Sequence, residues 1–191
     1  MPEPSLNFDA FSSGQIGSKL WLCQELEKIR FAQPQSIWIL GGWYGVLAFL
    51  LLSRERIPIA KIRSFDLDES ANRLADILNE NWVWRDWKFK AVTKDANSLV
   101  YGEGESSPPP DIVINTSTEH FESREWFERI PKGVIVALQS NDMDHEDHVA
   151  NVRTTAELEA RFPLTDRLYS GERPFVYPTW RFRRFMTIGR K

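Results

Sequence analysis

The chain has a single cysteine, Cys23, and only three histidines in 191 residues. One thiol excludes an internal disulfide framework and a zinc site built from cysteines. A long hydrophobic run is also missing. The longest apolar stretch, 37–52, is interrupted by Gly41, Gly42 and Gly45 and is followed by Arg54, which is no pattern for a membrane span. The first eleven residues carry Pro2, Pro4 and acids, without a basic segment leading into an apolar one. No targeting segment is therefore expected, and the expected setting is the reducing cytoplasm. An excess of positive charge is lacking too: 24 Lys and Arg stand against 27 Asp and Glu, a net charge of −3. That balance argues against duplex nucleic acid as a partner.

What is present is ordinary globular usage, 42% hydrophobic and 27% charged, over a length that suits one domain spanning 1–191. Residues 1–17 are expected to be a leader or lid segment, read as loop as far as Gln15. The 8 tryptophans mostly suit a core. Any left on the surface could form a dimer face, so monomer and homodimer both stay open.

Short apolar runs alternate with helical patterns along the chain. Ser18 to Arg30 places Leu22, Leu26 and Ile29 at helical spacing, with Ser18 as the expected N-cap. Ser36–Leu40 reads as a buried strand entering a tight turn at Gly41-Gly42, and Trp43–Arg54 as a helix. Ile59–Asp66 is a second strand and Glu69–Asn81 a second helix. A third strand is expected late in Trp82–Val92. Gly102–Pro110 is a loop ended by three prolines, and Asp111–Asn115 is a fourth strand. Ser123–Ile130 is a helix, Gly133–Gln139 a fifth strand and Thr155–Arg161 a short helix. Arg167–Glu172 and Trp180–Gly189 have no helix between them, only a loop carrying Pro174 and Pro178. The expected fold class is therefore α/β: a Rossmann-like three-layer sandwich with a mostly parallel sheet and an antiparallel C-terminal hairpin at its edge.

In an open α/β sheet a ligand sits beyond the carboxyl ends of the strands. The first such end is Leu40-Gly41-Gly42-Trp43-Tyr44-Gly45, where glycine allows close approach of the backbone. The second is Asp66, followed by Leu67 and Asp68, an acid suited to the two hydroxyls of a ribose. The third is Lys94-Asp95-Ala96, where the acid could accept from an adenine amino group. The fourth is Asn115-Thr116-Ser117-Thr118-Glu119-His120. Each feature alone also suits an ordinary turn or helix cap. Together they point to a nucleoside cofactor.

This series, with Pro110-Asp111-Ile112-Val113-Ile114 leading into Asn115, resembles the ordered motifs of the class I S-adenosylmethionine-dependent methyltransferases over residues 36–139. The resemblance implies an enzyme with S-adenosylmethionine as cofactor. Gly41, Gly42 and Gly45, with Trp43 between them, would line the methionine part. Asp66 and Leu67 would hold the ribose, Asp95 and Ala96 the adenine. Asn115, Thr116 and Ser117 would face the transferred methyl.

All three histidines fall on the same rim. His120 follows the fourth strand, and His145 and His148 follow the fifth. If the acceptor must lose a proton, Glu119 or His120 could serve as base beside Asn115. The run Asp142-Met143-Asp144-His145-Glu146-Asp147-His148 reads as a rim loop touching substrate, as a solvated acidic loop, or as a mixed metal site; the first is preferred, with no metal expected. Gln15 and Lys19, just before the expected first helix, could hold a carboxylate.

On the last strand Trp180, Phe182, Met186 and Ile188 share one face, and Arg181, Arg183 and Thr187 the other. From Arg167 onward seven basic residues stand against Glu172 alone. A solvated edge strand guarded by charge is preferred over a phosphate or RNA contact. The acceptor is not legible; a small molecule or a modest protein or nucleotide suits the short chain. Two other readings stay open. One is a nicotinamide-dependent oxidoreductase, which needs a further parallel strand at the end. The other is a non-catalytic binding module whose Trp43 and Tyr44 rings fill the methionine slot.

Overall fold

The computed structural model describes residues 6–102, 108–178 and 180–191. The first five residues and most of the expected 102–110 loop lie outside them. The chain opens with a 3-10 turn at Phe8–Phe11 and helix α1 (Ser13–Leu26), followed by strand β1 (Gln35–Leu40). Then come α2 (Val46–Arg54), β2 (Ile59–Asp66), α3 (Glu69–Leu78), the one-turn α4 (Glu80–Val83) and β3 (Phe89–Thr93). The second half runs through β4 (Ile112–Asn115), α5 (Glu125–Glu128), β5 (Ile135–Asn141), α6 (Thr155–Arg161), β6 (Asp166–Val176) and β7 (Arg181–Arg190).

The strands form one sheet in the order β3-β2-β1-β4-β5-β7-β6. The first five are parallel, and β7 pairs antiparallel with both β5 and β6. The expected fold class holds. The order turns back between β1 and β4, the switch point where an α/β sheet opens a crevice.

Both faces of the sheet are covered, as continuous apolar strands require. Alternate residues of the interior strands β1, β4, β5 and β7 go to opposite cores. Ile37 and Ile39 of β1, Ile112 and Ile114 of β4, and Ile135 and Ala137 of β5 pack under α1 and α2. Trp38, Leu40, Val113, Val136 and Leu138 pack on the other face, against α5 and α6. There Trp126, Phe127 and Phe162 form an aromatic knot with ring centroids 5.1–5.9 Å apart. Among the described residues no helix is long and apolar enough to cross a membrane.

Three local expectations need correction. Helix α1 begins at Ser13 with Ser12 as N-cap, so the expected loop to Gln15 is partly helical and Ser18 is buried inside the helix. The helix starts early because it rests on the β6–β7 hairpin: a Cβ on Gly14 would stand 2.7 Å from the Tyr177 hydroxyl. Helix α2 starts at Val46, not Trp43, because Trp43 (φ 47°) and Gly45 (φ 70°) are left-handed. The third strand, Phe89–Thr93, falls late in the expected stretch, after Trp82 and Val83 in α4. Finally β6 continues through Pro174, where a loop was expected, and it is β6, not β7, that forms the edge. An edge strand tolerates proline because one row of its N–H groups has no partner strand. Strand β7 is interior, with Phe185 in one core and Met186 and Ile188 in the other, and Arg184 is only 5% exposed.

Candidate active site

The carboxyl ends of β1, β2, β3 and β4 border one open cleft of about 990 Å³. Its wall begins where β1 gives way to the 41–45 turn. Gly42 lies so close to β2 that a Cβ there would fall 1.8 Å from the Ser64 hydroxyl, so glycine lets the turn approach with Ser64 in place. Asp66 ends β2 and ties this turn down. Its carboxylate accepts from the Trp43 N–H at 2.8 Å and the Asp68 N–H at 3.1 Å. Both are single bonds to separate oxygens, so each oxygen keeps capacity for a further donor.

The Trp43 and Tyr44 rings stack on each other at 4.7 Å. They pack with Val46 and Ala71, and the Tyr44 hydroxyl accepts from the Asn7 N–H at 3.1 Å. The rings line the cleft without closing it.

At the end of β3, the Asp95 side chain caps a short 3-10 turn by accepting from the Asn97 N–H, and Ala96 is buried beside it. At the end of β4, the Asn115 Oδ1 accepts from the Ser117 N–H at 2.9 Å. Thr116, Ser117, Glu119 and His120 line the cleft, as do Gln15, Lys19, Gly41, Gly42, Trp43, Asp66, Leu67, Asp95 and Ala96. Gly45 and Asn115 are not on its wall. Gly45 packs against α3, and Asn115 is fully buried below the rim.

Sequence reading missed a buried polar cluster on the far wall. Arg184 of β7 reaches across β5, donates to the Thr116 carbonyl at 3.0 Å and lies 3.8 Å from the Glu119 carboxylate. Glu119 is 1% exposed. Its Oε1 accepts from the Asn141 amide, and its Oε2 has no hydrogen-bond partner among the described residues. Lys19 sits nearby with its Nζ 2.6 Å from Gln15 Oε1. Burial, and then the Arg184 guanidinium, lower the Lys19 ammonium from 10.5 to about 7, against the opposing pull of Asp9 and Glu119. The available signal was Arg184's register. It shares the alternating face of Phe182, Met186 and Ile188, an apolar stripe interrupted by one cation.

The loop after β5 returns to this wall. The Val149 and Ala150 N–H groups both donate to the Glu119 carbonyl. Asp142, considered as a metal ligand from sequence, is held by Arg183 through its backbone N–H at 2.7 Å and its Nε at 3.0 Å. His145 Nδ1 accepts from the Asp147 N–H at 3.2 Å. Asp144 and Glu146 are exposed. Among the described residues the group placed to share an ion is instead Glu119, His120 and His148.

No protein-family model matches the sequence, and no curated protein matches it. Solved structures do. Magnesium protoporphyrin IX methyltransferase from Synechocystis PCC 6803, with bound S-adenosylmethionine, is similar with a TM-score of 0.63 at 12% identity, over 97% of this chain and 85% of that one. TrmK from M. capricolum, in complex with S-adenosylhomocysteine, is similar with a TM-score of 0.57 at 10% identity, over 86% and 66%. The chain has the class I methyltransferase fold. The YcgJ protein of Bacillus subtilis is similar in the same way, with a TM-score of 0.62 at 11% identity over 92% and 99%. The strand next to β5 is the antiparallel β7. It replaces the further parallel strand that the nicotinamide alternative needs, and nothing supports that alternative.

Proposed function

We propose that the chain is an S-adenosylmethionine-dependent methyltransferase. The observation that carries the reading is Asp66. It is an acid at the end of β2, at the cleft, with each carboxylate oxygen holding one backbone N–H and able to take one ribose hydroxyl. The other rim groups suit the rest of the cofactor. Asp95 and Ala96 border the place of an adenine, and Gln15 and Lys19 that of a carboxylate. The open cleft beside the Trp43–Tyr44 stack weighs against a slot filled by its own rings.

When bound, the cofactor supplies an electrophilic methyl group on a sulfonium. The chain's own part is then mainly positioning, since in-line approach of a nucleophile supplies much of the rate. Thr116 and Ser117 border the reacting end, and the buried Glu119–Asn141–Arg184 cluster is bonded to the Thr116 carbonyl on the far wall. Trp180, Phe182 and the loop after β5 bound the side open to an acceptor, which suits a small molecule or a short segment of a nucleotide or protein.

Calorimetric titration with S-adenosylhomocysteine, with NADH as control, tests the reading. Micromolar binding of the former alone, weakened at least about tenfold by Asp66→Ala, is the expected result. Failure of the wild-type chain to bind S-adenosylhomocysteine would overturn it and favour a non-catalytic module.

A further inference from the structure

Two histidines from separate loops meet on the cleft wall. His120 leaves the turn after β4, and His148 lies in the loop after β5. Their ring centroids are 4.8 Å apart, edge to face. One nitrogen of each ring and one carboxylate oxygen of Glu119 all lie within 4.8 Å of one another.

The hydrogen bonds of both rings fix their tautomers. His120 Nδ1 is 3.0 Å from the Asp147 carbonyl oxygen, and His148 Nδ1 is 3.0 Å from the Met143 carbonyl oxygen. A carbonyl only accepts, so each Nδ1 carries the proton. Each Nε2 then presents a lone pair. Histidines that ligate metals are oriented in the same way, with the remote N–H held by a carbonyl.

Glu119 supplies the independent observation. It is 1% exposed, yet among the described residues its Oε2 has no hydrogen-bond partner. A buried carboxylate oxygen without a partner costs free energy unless a ligand takes it up. Arg184 lies 3.8 Å from the other oxygen, Oε1, which Asn141 also holds. The occupied oxygen thus faces the guanidinium, and the free one remains for a cation.

We propose that Glu119, His120 and His148 bind one divalent transition-metal ion, with its open coordination positions turned to the cleft to take an oxygen of the methyl acceptor. The acceptor clause rests on the methyltransferase reading; the ion site does not. Two imidazoles and one carboxylate suit zinc, manganese, iron or cobalt, whereas calcium and magnesium prefer all-oxygen sites. Three protein ligands leave positions open for substrate, the pattern of catalytic rather than structural sites. The acceptor class this selects is a hydroxyl compound. With its oxygen on the ion, the hydroxyl gives its proton to solvent more readily. The oxygen lone pair then forms the new bond to the methyl carbon. The carbon–sulfur bond breaks, and its electron pair stays on sulfur as S-adenosylhomocysteine.

Chelator-treated protein titrated with cobalt(II) tests the site through the visible absorption of the bound ion. The expected result is one equivalent per chain, with affinity lowered at least about tenfold in both His120→Ala and His148→Ala. His145→Ala should keep it, because that ring lies outside the triad. These three variants leave the buried Glu119 in place, and circular dichroism checks that each is folded. Added azide should then shift the cobalt bands by entering an open position.

Absence of cobalt binding, or binding that survives loss of either triad histidine, would overturn the site. Bands that azide leaves unmoved would overturn the acceptor clause. Cobalt binding without S-adenosylhomocysteine binding would instead leave the ion site standing and sink the methyltransferase reading.

Discussion

Lys19 places an ammonium in a buried wall beside a second cation, Arg184, and this position sets up a test in which stability and binding move in opposite directions. Holding its proton affinity at about 7 instead of 10.5 costs the folded state roughly 4 kcal/mol at pH 7, at about 1.4 kcal/mol per pH unit. Methionine has a similar length and no charge. Replacing Lys19 with it removes this cost and loses the hydrogen bond to Gln15, which is worth about 1 kcal/mol. Lys19→Met should therefore stabilise the fold by roughly 2–4 kcal/mol at pH 7.

The pH dependence follows from proton counting. Between 7 and 10.5 the unfolded lysine binds more protons than the native one, so the Lys19 contribution to stability rises with pH across that window and is flat below it. The advantage of Lys19→Met is then largest at and below pH 7 and fades toward pH 10. Urea unfolding of both proteins across this range reads it directly. The buried Cys23 thiol, pushed up to about 12, and the buried Tyr101 phenol, also pushed up, affect the alkaline arm. They are common to both proteins and cancel in the difference. If Lys19 holds the cofactor carboxylate, the same change should weaken S-adenosylhomocysteine binding by about tenfold to a hundredfold, the worth of a charge-assisted hydrogen bond. A variant no more stable than wild type at pH 7, or an advantage that does not change with pH, would refute the reasoning.

Three further outcomes are expected. Asp66→Ala leaves the Trp43 and Asp68 N–H groups without their acceptor and should cost about 1–2 kcal/mol in urea unfolding; an unchanged midpoint would show that the 41–45 turn does not depend on it. Gly42→Ala drives a methyl against the Ser64 hydroxyl and should cost about 1–3 kcal/mol. Adding Ser64→Ala, which leaves Ser64 Cβ at 3.2 Å as the nearest atom, should recover most of that loss; strictly additive losses would contradict the close approach. Phe162→Ala empties a fully buried position between Trp126 and Phe127 and should cost about 3–5 kcal/mol; thermal unfolding near wild type would mean the knot closes over the gap.

The sequence by itself determined what near neighbours decide. Apolar runs such as Ile112-Val113-Ile114 must be strands buried on both faces, prolines and glycines must break the runs, and the short connection before Trp180 admits only a hairpin. The placing of glycines, acids and polar groups at four strand ends was legible for the same reason, because a strand's carboxyl end is a local property of the chain. Tertiary structure decided everything that depends on strand order. Inserting β7 between β5 and β6 turned an expected exposed edge into an interior strand and carried Arg184 to Glu119. The hairpin drew α1 forward over Gly14, which set Lys19 in the same wall. The return of the loop after β5 joined His148 to His120 rather than to the acids beside it in the chain. Such groups lie from 28 to more than 160 residues apart, and no periodicity links them. Only the packing of the sheet and its covering layers brings their charges within reach of one another.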